Sequence, residues 1–285
     1  MKISFENVSV KNYHLYYSKT QDLAIGPMLA PKKYKEDLWG ILVFDDKELI
    51  AGWVGKKRIK NKYLRALFQE VYFDAMPQIF DSDKINAQVL IDKLIEKAKE
   101  EKIAYLSVSH WSRSADEFHS KYYQSKKNAS YLVDVTKENL LSTLSHAQRK
   151  KVRKAERNNL KFVVFNDEEA LERLEDFQEI RTATQSRAIA RNKKASMLLK
   201  SIEAYREILT DYEAKLIATY TEDDELAAML LYIKSGKTIY PYYSGSNIEI
   251  NRATGSSTYL QWHLFLSAKE QGCVYVDMGG LPVNP

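Results

Sequence analysis

Apolar and polar residues alternate in short blocks along this chain. Between Leu38 and Arg58, two β-rich runs flank the polar turn "DDKE", a pattern that predicts a hairpin. A further apolar run, "LRALFQEVYF", leads to Pro77. From Asn86 to Lys102, the residues Val89, Leu90, Leu94, Ile95 and Ala98 fall on one face at helical spacing. "IAYLSVSH" follows with the character of a buried strand. Hairpin, strand, helix and strand make an α/β unit whose sheet is partly antiparallel.

After the polar, irregular "SRSADEFHSKYYQSKKNAS", the pattern resumes. "YLVDVT" reads as a strand, and "TKENLLSTLSHAQRKKVRKAERNN" as one long helix after a Thr cap, anchored by a stripe of Leu141, Leu144, Val152 and Ala155. "LKFVVF" is a strand, and a helical stretch with a break runs from Asp167 to Tyr212. Three strands joined by "EDDE" and "SGK" come next, then the helix "TYLQWHLFLSAKEQG" and the strand "CVYVDMGG". The element order of the first half thus recurs in the second. It predicts an α/β (α+β) chain of two similar domains, residues 1–130 and 131–285, each a mixed sheet flanked by helices.

Composition agrees and narrows the function. A hydrophobic fraction of 45% over 285 residues supports two cores, and scarce Gly and Pro argue against long linkers. The net charge of +5 permits an anionic partner without amounting to a nucleic-acid footprint. The single cysteine, Cys273, excludes an intrachain disulfide and a CxxC metal site, and its apolar context predicts a buried thiol. The N-terminus lacks the apolar core of a signal peptide and no run is long enough to span a bilayer, so a soluble, cytoplasmic protein is expected. His14, His110, His119, His146 and His263 are scattered, and neither a metal nor a covalent nucleophile is indicated.

Four stretches can carry chemistry. In "NRATGSSTYLQW", Arg252, Gly255, Ser256 and Ser257 enter a helix; a glycine and free N–H groups there suit an anion, although a plain serine cap has the same sequence. In "CVYVDMGG", Asp277, Gly279 and Gly280 close a strand whose end is either a ligand crevice or a tight turn. In "YPYYSGS", alternation sends Tyr242 and Tyr243 to opposite faces, as core aromatics or as hydroxyls for a substrate. The basic run "QRKKVRKAER" offers Arg149, Lys150 and Arg153 as a phosphate clamp or as a solvated face. It has no helix-turn-helix or zinc signal beside it, so sequence-specific DNA binding is not expected.

Three ordered pieces between Tyr131 and Gly280 together resemble the FemAB family. They are "YLVDVTKENLLSTLSHAQRKKVRKAERNNLKF", "YPYYSGSNIEINRATGSSTYLQWHLFLSAKEQGC" and "VYVDMGG". The resemblance implies two GNAT-like domains and the transfer of an aminoacyl group from aminoacyl-tRNA to an amine of a phosphate-bearing peptidoglycan precursor, UDP- or lipid-linked. No cofactor is implied, and peripheral contact with a membrane is left open. It places Arg149 and Arg153 against the precursor's phosphates and makes Tyr242 a candidate for the reacting centre, with no general base assigned. "RATGSS" is similar to a GNAT pyrophosphate loop, which keeps an acyl-CoA donor acting on a sugar amine as an alternative. The first domain departs from the family: "FDAMPQIFDSD" lacks the glycine of its Gly-Pro motif, and Asp81 is the match to that motif's acid. The sequence given also ends at "GLPVNP", before the family's Phe-Lys-x-x-Phe-Gly strand. It is therefore expected to be either a truncated domain or a binding protein that keeps the fold without the transfer.

Overall fold

A computed structural model describes residues 2–59, 69–108, 129–191 and 199–281. The chain divides into two compact units, Met1–Ser130 with Gly280–Pro285, and Tyr131–Gly279.

In the first unit a mixed sheet runs in the order β1 (Ile3–Asn7), β2 (Leu38–Asp45), β3 (Glu48–Ile59), β4 (Gln69–Phe73) and β6 (Tyr105–Val108), with the short β5 (Gln78–Ile79) also on β3. The expected hairpin is β2–β3, closed where Asp46 takes a positive φ of 54°. Helix α2 (Ala87–Glu100) starts at an Asn86 cap and covers one sheet face. Leu90, Leu94 and Ala98 pack there with Trp39, Val43, Trp53 and Phe73. Two expectations need correcting. Val89, assigned to the buried stripe, is 41% exposed. The strand "YLSV" is open rather than buried, with Tyr105 at 56% exposure, because β6 is the edge strand of its sheet. The opposite face carries α1 (Tyr13–Gln21), whose Tyr13 and Tyr16 lie fully buried with Leu38, Leu42 and Val54.

The second unit is a six-stranded sheet, in the order β7 (Ala129–Asp134), β12 (Tyr275–Leu281), β11 (Thr238–Ser246), β10 (Leu226–Ser235), β9 (Ala214–Tyr220) and β8 (Lys161–Val164). The expected long helix is in fact two pieces, a 3-10 turn at Leu140–Thr143 and helix α3 (His146–Arg157). Ser145 and Gln148 form a reciprocal capping box, so the helix restarts there. Thr136 instead closes on the Asp134 carboxylate. The broken helical stretch comprises α4 (Asp167–Glu172), α5 (Leu174–Arg191) and α6 (Ile202–Asp211). A second break from expectation follows β11, where the short helix α7 (Ile248–Thr254) precedes α8 (Ser256–Glu270). Helix α8 buries Leu260, Leu264, Phe265 and Ala268 in the core, and Cys273 after it is buried as expected.

Candidate functional site

The second unit opens along one seam of its sheet. β11 and β12 are parallel, but they pair only at Thr238↔Tyr275 and Ile239↔Val276, while β11 runs on to Ser246 and β12 to Leu281. Pro241 contributes to this break, because it has no N–H to donate to a ladder. On its other side β11 carries a bulge: Tyr232 faces Pro241 and Leu231 faces Tyr243, so Tyr242 is the extra residue. A bulge bends its strand and re-aims a side chain. Tyr242 therefore departs from the simple alternation expected of it, and its ring lies 4.4 Å from that of Tyr243.

Helix α8 joins the end of β11 to the start of β12 through α7. Its N-terminus and the outer end of β12 consequently lie at the same end of the sheet as the seam opens. Gly255, Gly279 and Tyr242 are thus brought to one end of the unit. Gly255 is the junction of α7 and α8, with φ 81°. It faces α3 closely, since a Cβ placed on it would sit 3.2 Å from the Lys151 carbonyl oxygen. Lys154 reaches the Arg252 carbonyl at 3.2 Å and so caps α7 from the basic helix.

The cradle expected at "RATGSS" takes another form. Its first residues belong to α7 rather than to a strand-to-helix loop. Asn251 occupies the amides of the junction, its side-chain oxygen accepting from Ser257 N–H at 2.9 Å and its backbone oxygen from Gly255 N–H at 2.8 Å. Ser256 is completely buried, and its hydroxyl donates to Asn251 Oδ1 at 3.4 Å. Arg252 is exposed and lies near Glu249. Asp277 is buried, and its carboxylate accepts from Gly279 N–H at 2.9 Å, which holds the left-handed turn at Gly279. Gly280 lies within β12.

The basic helix divides into two groups. Arg149 donates to the carbonyls of Ser142 and Leu144, and Lys154 to Arg252, so both partly serve the fold. Lys150, Lys151, Arg153 and Arg157 are exposed, with no carboxylate partner among the described residues. Asp81 belongs to the first unit, where it lies partly exposed, 3.4 Å from Lys84, which also pairs with Asp45.

Two arginines of α5 carry weight that the sequence motifs do not announce. Arg181 is 5% exposed, stacks 4.7 Å over the Tyr243 ring and donates to Ser244 O and Tyr205 Oη. Among the described residues it has no acidic partner. Arg187 donates to Ser246 O at 2.6 Å and to Thr184 Oγ1 at 3.0 Å. The same Thr184 oxygen accepts from Ser246 N–H, so α5 and the end of β11 are tied at both backbone groups of Ser246. Gly245 permits this approach: a Cβ there would lie 2.8 Å from the Ile180 carbonyl. Burial, then the neighbouring Tyr242, pushes the Tyr243 hydroxyl well above its ordinary pKa, so it stays a neutral donor. A signal for Arg181 exists in the spacing. Leu174, Phe177, Arg181 and Thr184 form one helical stripe, and an arginine among buried positions is the anomaly.

Among the described residues no group of acids, histidines and cysteine could hold a metal, and no helix is long and apolar enough to cross a membrane.

Residues 145–282 match the acetyltransferase (GNAT) domain family. No curated protein matches the chain. Among solved structures, FemX is similar over 99% of this chain and 90% of its own, with a TM-score of 0.73 and 15% identity. L-PGS from Bacillus licheniformis is similar over 98% and 81%, with a TM-score of 0.61 and 16% identity. The C-terminal domain of a putative lysylphosphatidylglycerol synthetase from Agrobacterium fabrum covers 80% and 68%, at a TM-score of 0.57 and 15% identity. The chain is FemAB-like in fold, in agreement with its three sequence pieces, and the match to the acetyltransferase (GNAT) domain falls almost wholly on its second unit.

Proposed function

We propose that this FemAB-like transferase moves an aminoacyl group from aminoacyl-tRNA to a primary amine of a phosphate-bearing cell-envelope precursor. The observation that carries this reading is the seam between β11 and β12, which opens beside Tyr242 in the unit whose basic helix α3 packs against the Gly255 junction. Strand separation makes room for an extended acyl donor, and the bases supply an anionic partner with charge. One of the similar folds is named for lysylphosphatidylglycerol, an aminoacyl group carried by a phosphate-bearing lipid.

In the reaction, the neutral amine nitrogen attacks the ester carbonyl and forms the amide. The ester C–O bond breaks, and the tRNA oxygen leaves as a hydroxyl with the proton the amine gives up. Positioning of the two reactants supplies much of such an acceleration. In this reading a hydroxyl donor at the seam, Tyr242 foremost, bonds the developing oxyanion. Arg149 and Arg153 face the acceptor's phosphates in this scheme, and Arg187 is a further candidate for them.

A second reading has its own support in the acetyltransferase family match, which favours an acyl-CoA donor in the same seam. One experiment separates them. The purified protein is given charged tRNA carrying labelled amino acid, or labelled acetyl-CoA, with amine acceptors of the envelope-precursor class. Label transfer that requires the tRNA supports the proposal. Acetyl transfer with no response to tRNA replaces it with the second reading.

A further inference from the structure

The first unit contains a cleft that the proposed transfer does not use. It is a small cleft, open to solvent at its mouth, on the sheet face that carries α1. Tyr13, Tyr16 and Tyr72 form its walls, with Arg58 and Asp74 among its polar groups. The register Lys56↔Tyr72 and Arg58↔Glu70 puts these residues on one face of β3 and β4, and Asp74 directly follows β4. A strap of Pro27, Leu29 and Pro31 crosses the cleft and is fixed at two points. Leu29 N–H donates to the Asp74 carboxylate, and the Tyr13 hydroxyl donates to the Pro31 carbonyl at 2.7 Å.

The charges in this cleft are arranged unusually. Arg58 is close enough to lower the Asp74 pKa, yet among the described residues the two make no salt bridge. The guanidinium stacks instead 3.8 Å over the Tyr72 ring. Lys56, also lining the cleft, is engaged by Asp37 at 3.1 Å. A cation and an anion thus stand apart across an aromatic-walled space. Such a space matches a ligand bearing both charges in the opposite sense, with tyrosine faces favouring its cationic end. A simple cation would be repelled by Arg58 and Lys56, and a simple anion by Asp74.

We propose that this cleft binds a small zwitterion of the α-amino-acid kind, its ammonium on the Asp74 carboxylate and its carboxylate on the Arg58 guanidinium. The assignment stands apart from the transfer reading, because every residue it uses lies in the first unit. The charged and titratable groups that line the cleft with Asp74 are Tyr13 and Tyr16 from α1, Lys56 and Arg58 from β3, and Tyr72 from β4. Burial lifts the Asp74 carboxyl to about 6, against the hydrogen bond from Leu29 and the Arg58 charge. The carboxylate that receives the ammonium is therefore lost in mildly acidic solution.

The test uses ligand-observed NMR on the full chain, with the common amino acids at millimolar concentration. Each binder is compared with its N-acetylated and its decarboxylated form. At least one amino acid is expected to bind, with both modified forms weakened at least tenfold. Asp74→Asn and Arg58→Gln are each expected to weaken it at least tenfold, with a single cooperative unfolding transition at or above the wild-type temperature for Asp74→Asn, and near it for Arg58→Gln, as the check that each variant folds. Wild-type affinity should also fall as the pH is lowered through about 6. The proposal is overturned if no amino acid binds, if the N-acetylated form binds as well as its parent, or if a folded Asp74→Asn variant binds as the wild type does.

Discussion

Asp74 shows how one side chain can be set against the stability of its own fold. Its carboxyl is raised from 3.8 to about 6 by burial in the first unit. Between these values the folded chain holds a proton that the unfolded chain has released. Stability therefore declines as pH rises through this window. The loss reaches about 3 kcal/mol, since each tenfold difference in proton affinity is worth about 1.36 kcal/mol. Asp74→Asn removes the titration. The variant is expected to equal the wild type near pH 4 and to exceed it near pH 7, as measured by urea denaturation at the two pH values. A variant less stable than wild type at pH 7 would show that the carboxylate is a net structural asset. No sequence pattern marks Asp74, because its burial depends on a strap some 45 positions away. Family likeness points instead to Asp81, which is a partly exposed neighbour of Lys84. Arg181 is the contrasting case, legible as a charge on an apolar stripe.

The elements themselves are largely legible in the sequence, and their junctions are not. The β2–β3 hairpin, α2 and the three strands β9 to β11 follow from period and turn residues alone. Helix α7 does not, since seven residues give too little periodicity to separate them from a loop. Its end is set by Gly255, which serves two helices at once. A side chain there meets two penalties, a φ of 81° and the Lys151 carbonyl at 3.2 Å. Left-handed backbone alone costs an L-residue about 1–2 kcal/mol. Gly255→Ala is thus expected to lose at least that much in chemical denaturation, and Gly255→Asn less, because asparagine tolerates this region better. Equal losses in both would place the cost in the contact with α3 rather than in the backbone. The same junction explains why "RATGSS" reads as a phosphate loop. Glycine followed by serines fits either use, and Asn251, six residues before Ser257, takes up the Ser257 amide.

At the scale of the whole molecule, the repeated element order is sufficient to expect two mixed sheets. What it cannot carry is the seam, because strand divergence depends on register across residues far apart in sequence. The overall charge of +5 likewise says little until its placement is known. Helix α3 sets Lys150, Arg153 and Arg157 at i, i+3 and i+7, with Lys151 beside them, while Val152 and Ala155 bind the helix to the core. Four exposed bases on one helix suit a polyanion, and the strength of such a contact depends on released counterions. If tRNA is the partner, each phosphate they neutralise contributes about 0.7–0.9 to the slope of log affinity against log salt. Changing all four to Gln should therefore flatten that slope by about 3 and weaken tRNA most at low salt. Stability should hardly move, since exposed charges usually change it by less than about 0.5 kcal/mol each. Arg149 and Lys154 are left intact in this variant because they bond backbone carbonyls of the fold. A filter-binding titration of charged tRNA across a salt series reads the slope directly. An unchanged slope would remove α3 from the tRNA contact and leave its bases to the acceptor's phosphates, where one or two contacts would suffice and the salt dependence would be shallow.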